Sequence, residues 1–162
     1  MDAGSVARHD DWKANIAESG DEMKYDFASK EWLAAIHGFV HERARAAALT
    51  DPDVTMSFCQ VIQNVPAHIA PSGEVAFHFF VKKGVVTFAH TDSDACDLKI
   101  TGDWAAIREA TKIEINNDPE QMKRLMALSA EATKKGLIKM EGTPERPASM
   151  GFLHDVMAQL TA

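Results

Sequence analysis

Hydrophobic and polar positions alternate most regularly between Gly73 and Ile107, and the other elements are read around that stretch. Val75, Phe77, Phe79 and Val81 fall on one side of an extended strand, with Glu74, His78 and Lys82 on the other. Phe80 interrupts the polar side. Lys82-Lys83-Gly84 reads as a tight turn centred on Lys83-Gly84, which sets Val81 opposite Val86, Phe79 opposite Phe88 and Phe77 opposite His90. A further strand adds Leu98 and Ile100 to an apolar face, with Asp97 and Lys99 opposite. It runs into a helix that Thr101 is placed to cap and that buries Trp104 and Ile107. A sheet with one aromatic face needs a cover.

Helical spacing supplies that cover. From Ser29, a plausible N-cap, the positions Trp32, Leu33, Ile36, Phe39, Val40 and Ala44 form a broad apolar stripe that predicts a helix to about Ala47. Asp118-Pro119-Glu120-Gln121 starts another helix, whose apolar side holds Met122, Leu125, Met126 and Ser129, widened by Leu128 and Ala132. Lys134-Lys135-Gly136 stops it. Ala148 to Leu160 is a final amphipathic helix with Met150, Leu153, Met157 and Leu160 as its stripe.

Two more strands complete the reading. Val54 to Val65 sets Val54, Met56, Phe58 and Ile62 on one face and Thr55, Ser57, Cys59 and Gln63 on the other. That pattern predicts one covered and one wetter face, the signature of a sheet with helices on a single side. Leu137 to Met140 is a short strand. Residues 1–28 read as an N-terminal extension, with Asp11–Glu18 suited to a short helix, and residues 29–162 as one domain.

Composition narrows the function classes. A chain of 162 residues with 46% hydrophobic and 25% charged residues suits a single globular domain with a real core. The net charge of −7, with cations spread along the chain, lacks the basic stripe that a nucleic-acid or anionic membrane surface needs. The start MDAGSVARHDDWK has no apolar stretch, and no window reaches the length of a membrane span. Stable membrane insertion is therefore not expected. Cys59 and Cys96 read as reduced thiols and the protein as cytoplasmic.

Catalytic signatures are sparse. The sequence has no GxSxG, Walker loop, GxGxxG after a strand, or CxxC. His37 and His41 share a helix face, yet HGFVH lacks the Glu that follows the first His of a zinc-protease helix. No third ligand follows from the sequence, so no metal is assigned. The acids of TDSDACD lack the Gly and terminal Glu of a calcium loop and read as a strand connection. His90, placed on the apolar face by the hairpin register, is the polar residue of most interest. It can orient a ligand, or sit at the core edge bonded to backbone. Met56, Met122, Met126, Met140, Met150 and Met157 all fall on apolar faces, where flexible thioethers fill a core or adapt to bulky ligands.

Three of these stretches resemble the sterol carrier protein type two family of lipid-binding domains. FFVKKGVV is similar to that family's strand–turn–strand, SDACDLKIT to the strand before its helix, and KKGLIKMEG to its last strand before a covering helix. The likeness runs from about Val54 to Leu160. It departs where KIEINNDPEQMKRLMALSAEATKK replaces the family's short link and where Thr143 to Pro147 leads into the last helix.

The resemblance implies an α+β fold: a single five-stranded, mostly antiparallel sheet with helices packed on one face, enclosing a hydrophobic tunnel. It implies non-catalytic binding or transfer of a fatty acid, acyl-CoA, sterol or similar molecule, with no cofactor. Phe77, Phe79, Phe88, Leu98 and Ile100 are then the expected floor, and Trp104, Met122, Met126, Met150, Leu153 and Met157 the cover. His90 would orient the ligand. The rival readings are an enzyme using His90 or His154 as acid–base in the same cavity, and a dimerisation or scaffold module. A homodimer is compatible with either binding or scaffolding.

Overall fold

The computed structural model describes residues 24–142 and 153–162. The expected Asp11–Glu18 helix, Met150 and the start of the last helix lie outside the described residues. The hairpin at the centre of the sequence forms between β2 (Glu74–Lys82) and β3 (Val85–Ala89). Val81 pairs with Val86 and Phe79 with Phe88, as the alternation predicts. Lys83 and Gly84, at φ 52° and 80°, supply the two left-handed residues that a two-residue turn needs to match strand twist. A Cβ on Gly84 would lie 2.6 Å from that of Ala48, so the turn is also a close approach to a helix.

That helix, α1 (Lys30–Thr50), begins where Ser29 accepts a hydrogen bond from the Trp32 N–H at 3.1 Å. It outruns the expected end by three residues, because the Asp51 N–H closes the last turn on the Ala47 carbonyl. β1 (Thr55–Gln63) is the central strand. The order is β3-β2-β1, then β4 (Leu98–Asp103) and β5 (Ile138–Gly142). Among the described residues the β1–β4 ladder is the parallel one, and the other three ladders of the sheet are antiparallel. The fold class is the expected α+β one.

β4 stays paired with β1 through Asp103, opposite Gln63, and α2 (Trp104–Thr111) follows without a break. The cap is therefore Asp103, not Thr101: its carboxylate accepts from the N–H groups of Ala105 and Ala106. α3 (Pro119–Lys134) starts at the expected Asp118 cap, and α4 (Leu153–Leu160) ends the domain.

One expectation fails on the outer face of β1. Ser57, Cys59 and Val61 are buried there, not wet. The topology gives the reason: β3 and β4 are separated by β2 and β1, so the connection 90–97 has to cross both. Its Asp97 N–H donates to Ser57 Oγ at 2.7 Å, and the Cys59 thiol donates to Asp92 Oδ1 at 3.5 Å. Asp92 and Asp94 hold Lys99 at 2.7 and 2.9 Å, which accounts for the acids of TDSDACD. Burial pushes the Cys59 thiol up to about 11, so the thiol stays protonated and inert at neutral pH.

At one end of the helical face the core is solid. Phe27, Trp32 and Phe77 are fully buried, with Phe27 edge-on to Trp32 at 4.9 Å and Trp32 edge-on to Phe77 at 5.9 Å. The Trp32 indole N–H donates to Thr161 Oγ1 at 2.9 Å. Tyr25 and Thr161 form a parallel bridge, so the chain just before α1 and the chain just after α4 close the same end.

Candidate functional site

Away from that end the helices and sheet separate around a cavity of about 540 Å³. Its floor is the helix-facing side of four strands. β1 presents Met56, Phe58 and Gln60, β2 presents Phe77 and Phe79, β4 presents Leu98 and Ile100, and β5 presents Ile138 and Met140. Period-two alternation on each strand brings these side chains to one face. The cover comes from all four helices: Ile36, Phe39 and Val40 of α1, Ile107, Ala110 and Thr111 of α2, Met122, Leu125, Met126 and Ser129 of α3, and Leu153, His154 and Met157 of α4.

The described walls are mostly apolar. No Lys, Arg, Asp or Glu lines the cavity among the described residues. Most of the polar groups there have backbone partners. Thr111 Oγ1 donates to the Ile107 carbonyl at 2.7 Å, and His154 Nε2 donates to the Ile113 carbonyl at 2.9 Å. Asp155, beside His154, accepts from the N–H groups of Ile115 and Asn116 at 2.6 and 3.1 Å, which pins α4 to the segment between α2 and α3.

Of the residues expected to bind ligand, Phe77, Phe79, Leu98, Ile100, Met122, Met126, Leu153 and Met157 all line the cavity. Three do not. Phe88 stands one layer behind: its ring stacks on Phe77 at 5.6 Å and on Phe79 at 6.2 Å, while His37 of α1 covers its other side at 4.4 Å. Trp104 turns toward the solid end, where its indole N–H donates to the Phe27 carbonyl at 2.9 Å.

His90 is corrected outright. β3 ends at Ala89, opposite His78, so His90 never reaches a position opposite Phe77. His78 Nδ1 instead holds the Thr91 carbonyl at 2.6 Å, which draws the chain off the ladder and leaves His90 exposed.

Gln60 is the residue the alternation should have exposed. It sits on the same face as Met56, Phe58 and Ile62, as a single polar interruption of an apolar row. It pairs with Phe77 on one side and Ile100 on the other, in the middle of the floor. Met140, expected on an apolar face, reaches the cavity yet is 51% exposed, and Met126 is 64% exposed. These two thioethers mark the rim.

No family model and no curated protein matches the chain. Solved structures do. Sterol carrier protein 2 is similar over 85% of this chain and 100% of its own, at 15% identity and a TM-score of 0.47. A conserved hypothetical protein from Thermus thermophilus is similar over 85% of this chain and 92% of its own, at 14% identity and a TM-score of 0.46. Palmitated SCP2L2 from Aedes aegypti covers 76% of this chain and 96% of its own, at 17% identity and a TM-score of 0.31.

Proposed function

We propose that the protein binds or carries a lipid-like hydrophobic small molecule in the cavity between its sheet and helices, without chemical turnover. The observation that carries this reading is the size of the cavity, set against the chemistry of its walls. A dry void costs about 24 cal/mol per Å³, so a closed void of about 540 Å³ would cost about 13 kcal/mol. That equals the whole stability of a typical domain. A space this large, which opens to solvent at the Met126 and Met140 rim, is therefore not left dry but takes up water or a ligand, and its volume is in the range of small-molecule sites.

The chemistry of the walls favours an apolar ligand over water. Aromatic rings below and thioethers above reward apolar area, at about 25 cal/mol per Å² before the costs of association. The methionine-rich cover adapts to ligands of different shape. Thr111 and His154 are held by backbone carbonyls, so they shape the wall.

Native mass spectrometry during titration with 1-decanol tests the reading. One molecule per chain is the expected stoichiometry. Ser129→Phe would push a ring into the cavity from a helix that is mostly exposed, and should abolish the adduct while the circular dichroism spectrum stays unchanged. An adduct unaffected by that substitution would remove the cavity as the site.

A further inference from the structure

Within the proposed ligand site, on which this step rests, one polar group stands apart from the rest. Gln60 is only 3% exposed, lies on the central strand and lines the cavity floor. Its Oε1 is buried and has no hydrogen-bond partner among the described residues. Its neighbours across the ladders are Phe77 and Ile100, which have no side-chain donor to offer. Leaving a buried amide oxygen unmatched is costly, and native proteins rarely do so without a use for the group.

The other oxygens around the cavity sharpen the contrast. Thr111 is bonded to its own helix, and Ser57 Oγ already accepts from the Asp97 N–H. Among the described residues, Gln60 alone combines deep burial, a place in the floor and an acceptor without a donor. We infer that the ligand carries a neutral hydrogen-bond donor, a hydroxyl above all, at its inner end, and that Gln60 receives it. The ligand class is then a long-chain apolar alcohol bound head-inward, with its hydrocarbon against the aromatic floor and the methionine rim.

Charge argues for the same class. An ionised carboxylate at that depth would find no Lys or Arg in the described lining to pair with it. Desolvating an unpaired charge is far more costly than desolvating a hydroxyl. A hydroxyl brings a donor to an oxygen that needs one.

The test compares 1-decanol with its methyl ether, which keeps the chain and the oxygen but loses the donor. Affinities are read from the 13C-methyl resonances of Met122, Met126 and Met157, all in the cavity wall. The unaltered protein should bind the alcohol about tenfold more tightly than the ether, the ratio of one net hydrogen bond. In Gln60→Met, a substitution of similar length without polar atoms, the two affinities should converge to within about twofold. Equal affinities in the unaltered protein, or a tenfold ratio that survives in Gln60→Met, would overturn the role of Gln60 and leave the cavity reading standing. Failure of both probes to bind the folded, unaltered protein would overturn the cavity reading and this inference with it.

Discussion

Helices α1 and α3 both present an apolar stripe to the same sheet, and the two stripes have opposite fates. α1 buries eight of its 21 residues, from Trp32 to Ala47. α3 has 16 residues and buries one, Ala132. Trp32 is enclosed by Phe27, Phe77 and the hydroxyl of Thr161. Met126, on the corresponding side of α3, looks across the cavity and is 64% exposed. The sheet shows a related difference: Phe77 and Phe79 of the inner strand β2 line the cavity yet are buried from solvent, whereas Met140 of the edge strand β5 is half in water. An amphipathic pattern thus fixes which way a helix faces. It does not fix whether the space it faces is filled.

The contrast assigns stability chiefly to the end closed by Phe27 and Trp32, and ligand contact to the cavity. The largest effect is expected at Trp32. Trp32→Ala removes a fully buried indole and its hydrogen bond to Thr161, and should cost about 3–5 kcal/mol in urea unfolding. Decanol affinity, measured where the variant is still folded, should change less than about threefold, since Trp32 does not line the cavity. A tenfold loss of affinity would dissolve the division between the two ends.

Asp103 stands at the boundary. Its carboxylate caps α2, which sends Trp104 toward the solid end and Ile107 with Ala110 into the cavity wall. Asp103→Ala should cost about 1 kcal/mol of stability. It should also weaken decanol binding a few-fold, so that one substitution registers at both ends. Met126→Ala is the converse of Trp32→Ala. It should lower stability by less than about 1 kcal/mol, since most of the side chain is already in solvent. Its decanol affinity should still fall about threefold, in line with the loss of one partly desolvated thioether.

The smallest effect belongs to the outer face, remote from both ends. Lys99, hydrogen-bonded to Asp92, holds that carboxyl below the usual range. A depressed native value means that Asp92 contributes stability above the unfolded carboxylate's pKa of about 3.9 and loses it as pH falls through the lower native value. Asp92→Asn should therefore flatten the acid limb of the melting temperature below about pH 4 and leave decanol affinity at neutral pH unchanged. An acid limb identical to that of the unaltered protein would mean the pair is fully screened.

Much of the frame was legible from the chain. Ser29 and Asp118 are caps with the right neighbours, and Lys83-Gly84 is the turn that alternation on both sides demands. What escaped was set by tertiary context. Thr101 has the chemistry of a cap, but the parallel ladder with β1 holds β4 extended through Asp103. The His90 side chain keeps the strand period in the sequence, yet His78 captures the Thr91 carbonyl and ends β3 one residue earlier. Ser57 and Cys59 read as wet because local pattern contains no information about a crossing loop that covers them. Phe88 and Trp104 have the right residue type and face for the cavity, and other aromatic rings occupy them first. Gln60 was visible only as an interruption, and interruptions acquire meaning once the space above them is known.

The most direct measurement is a 13C–1H and 15N–1H correlation titration with 1-decanol, with the methionine methyls and the tryptophan indoles followed together. Met56, Met122, Met126 and Met157 line the cavity, and Trp32 lies in the solid end. Saturable shifts of all four methyls with one affinity are expected, while the Trp32 indole N–H resonance stays in place. Saturable movement of the Trp32 signal with the four methyls unmoved would contradict binding in the cavity, and would put the ligand in the end packed by Phe27 and Trp32.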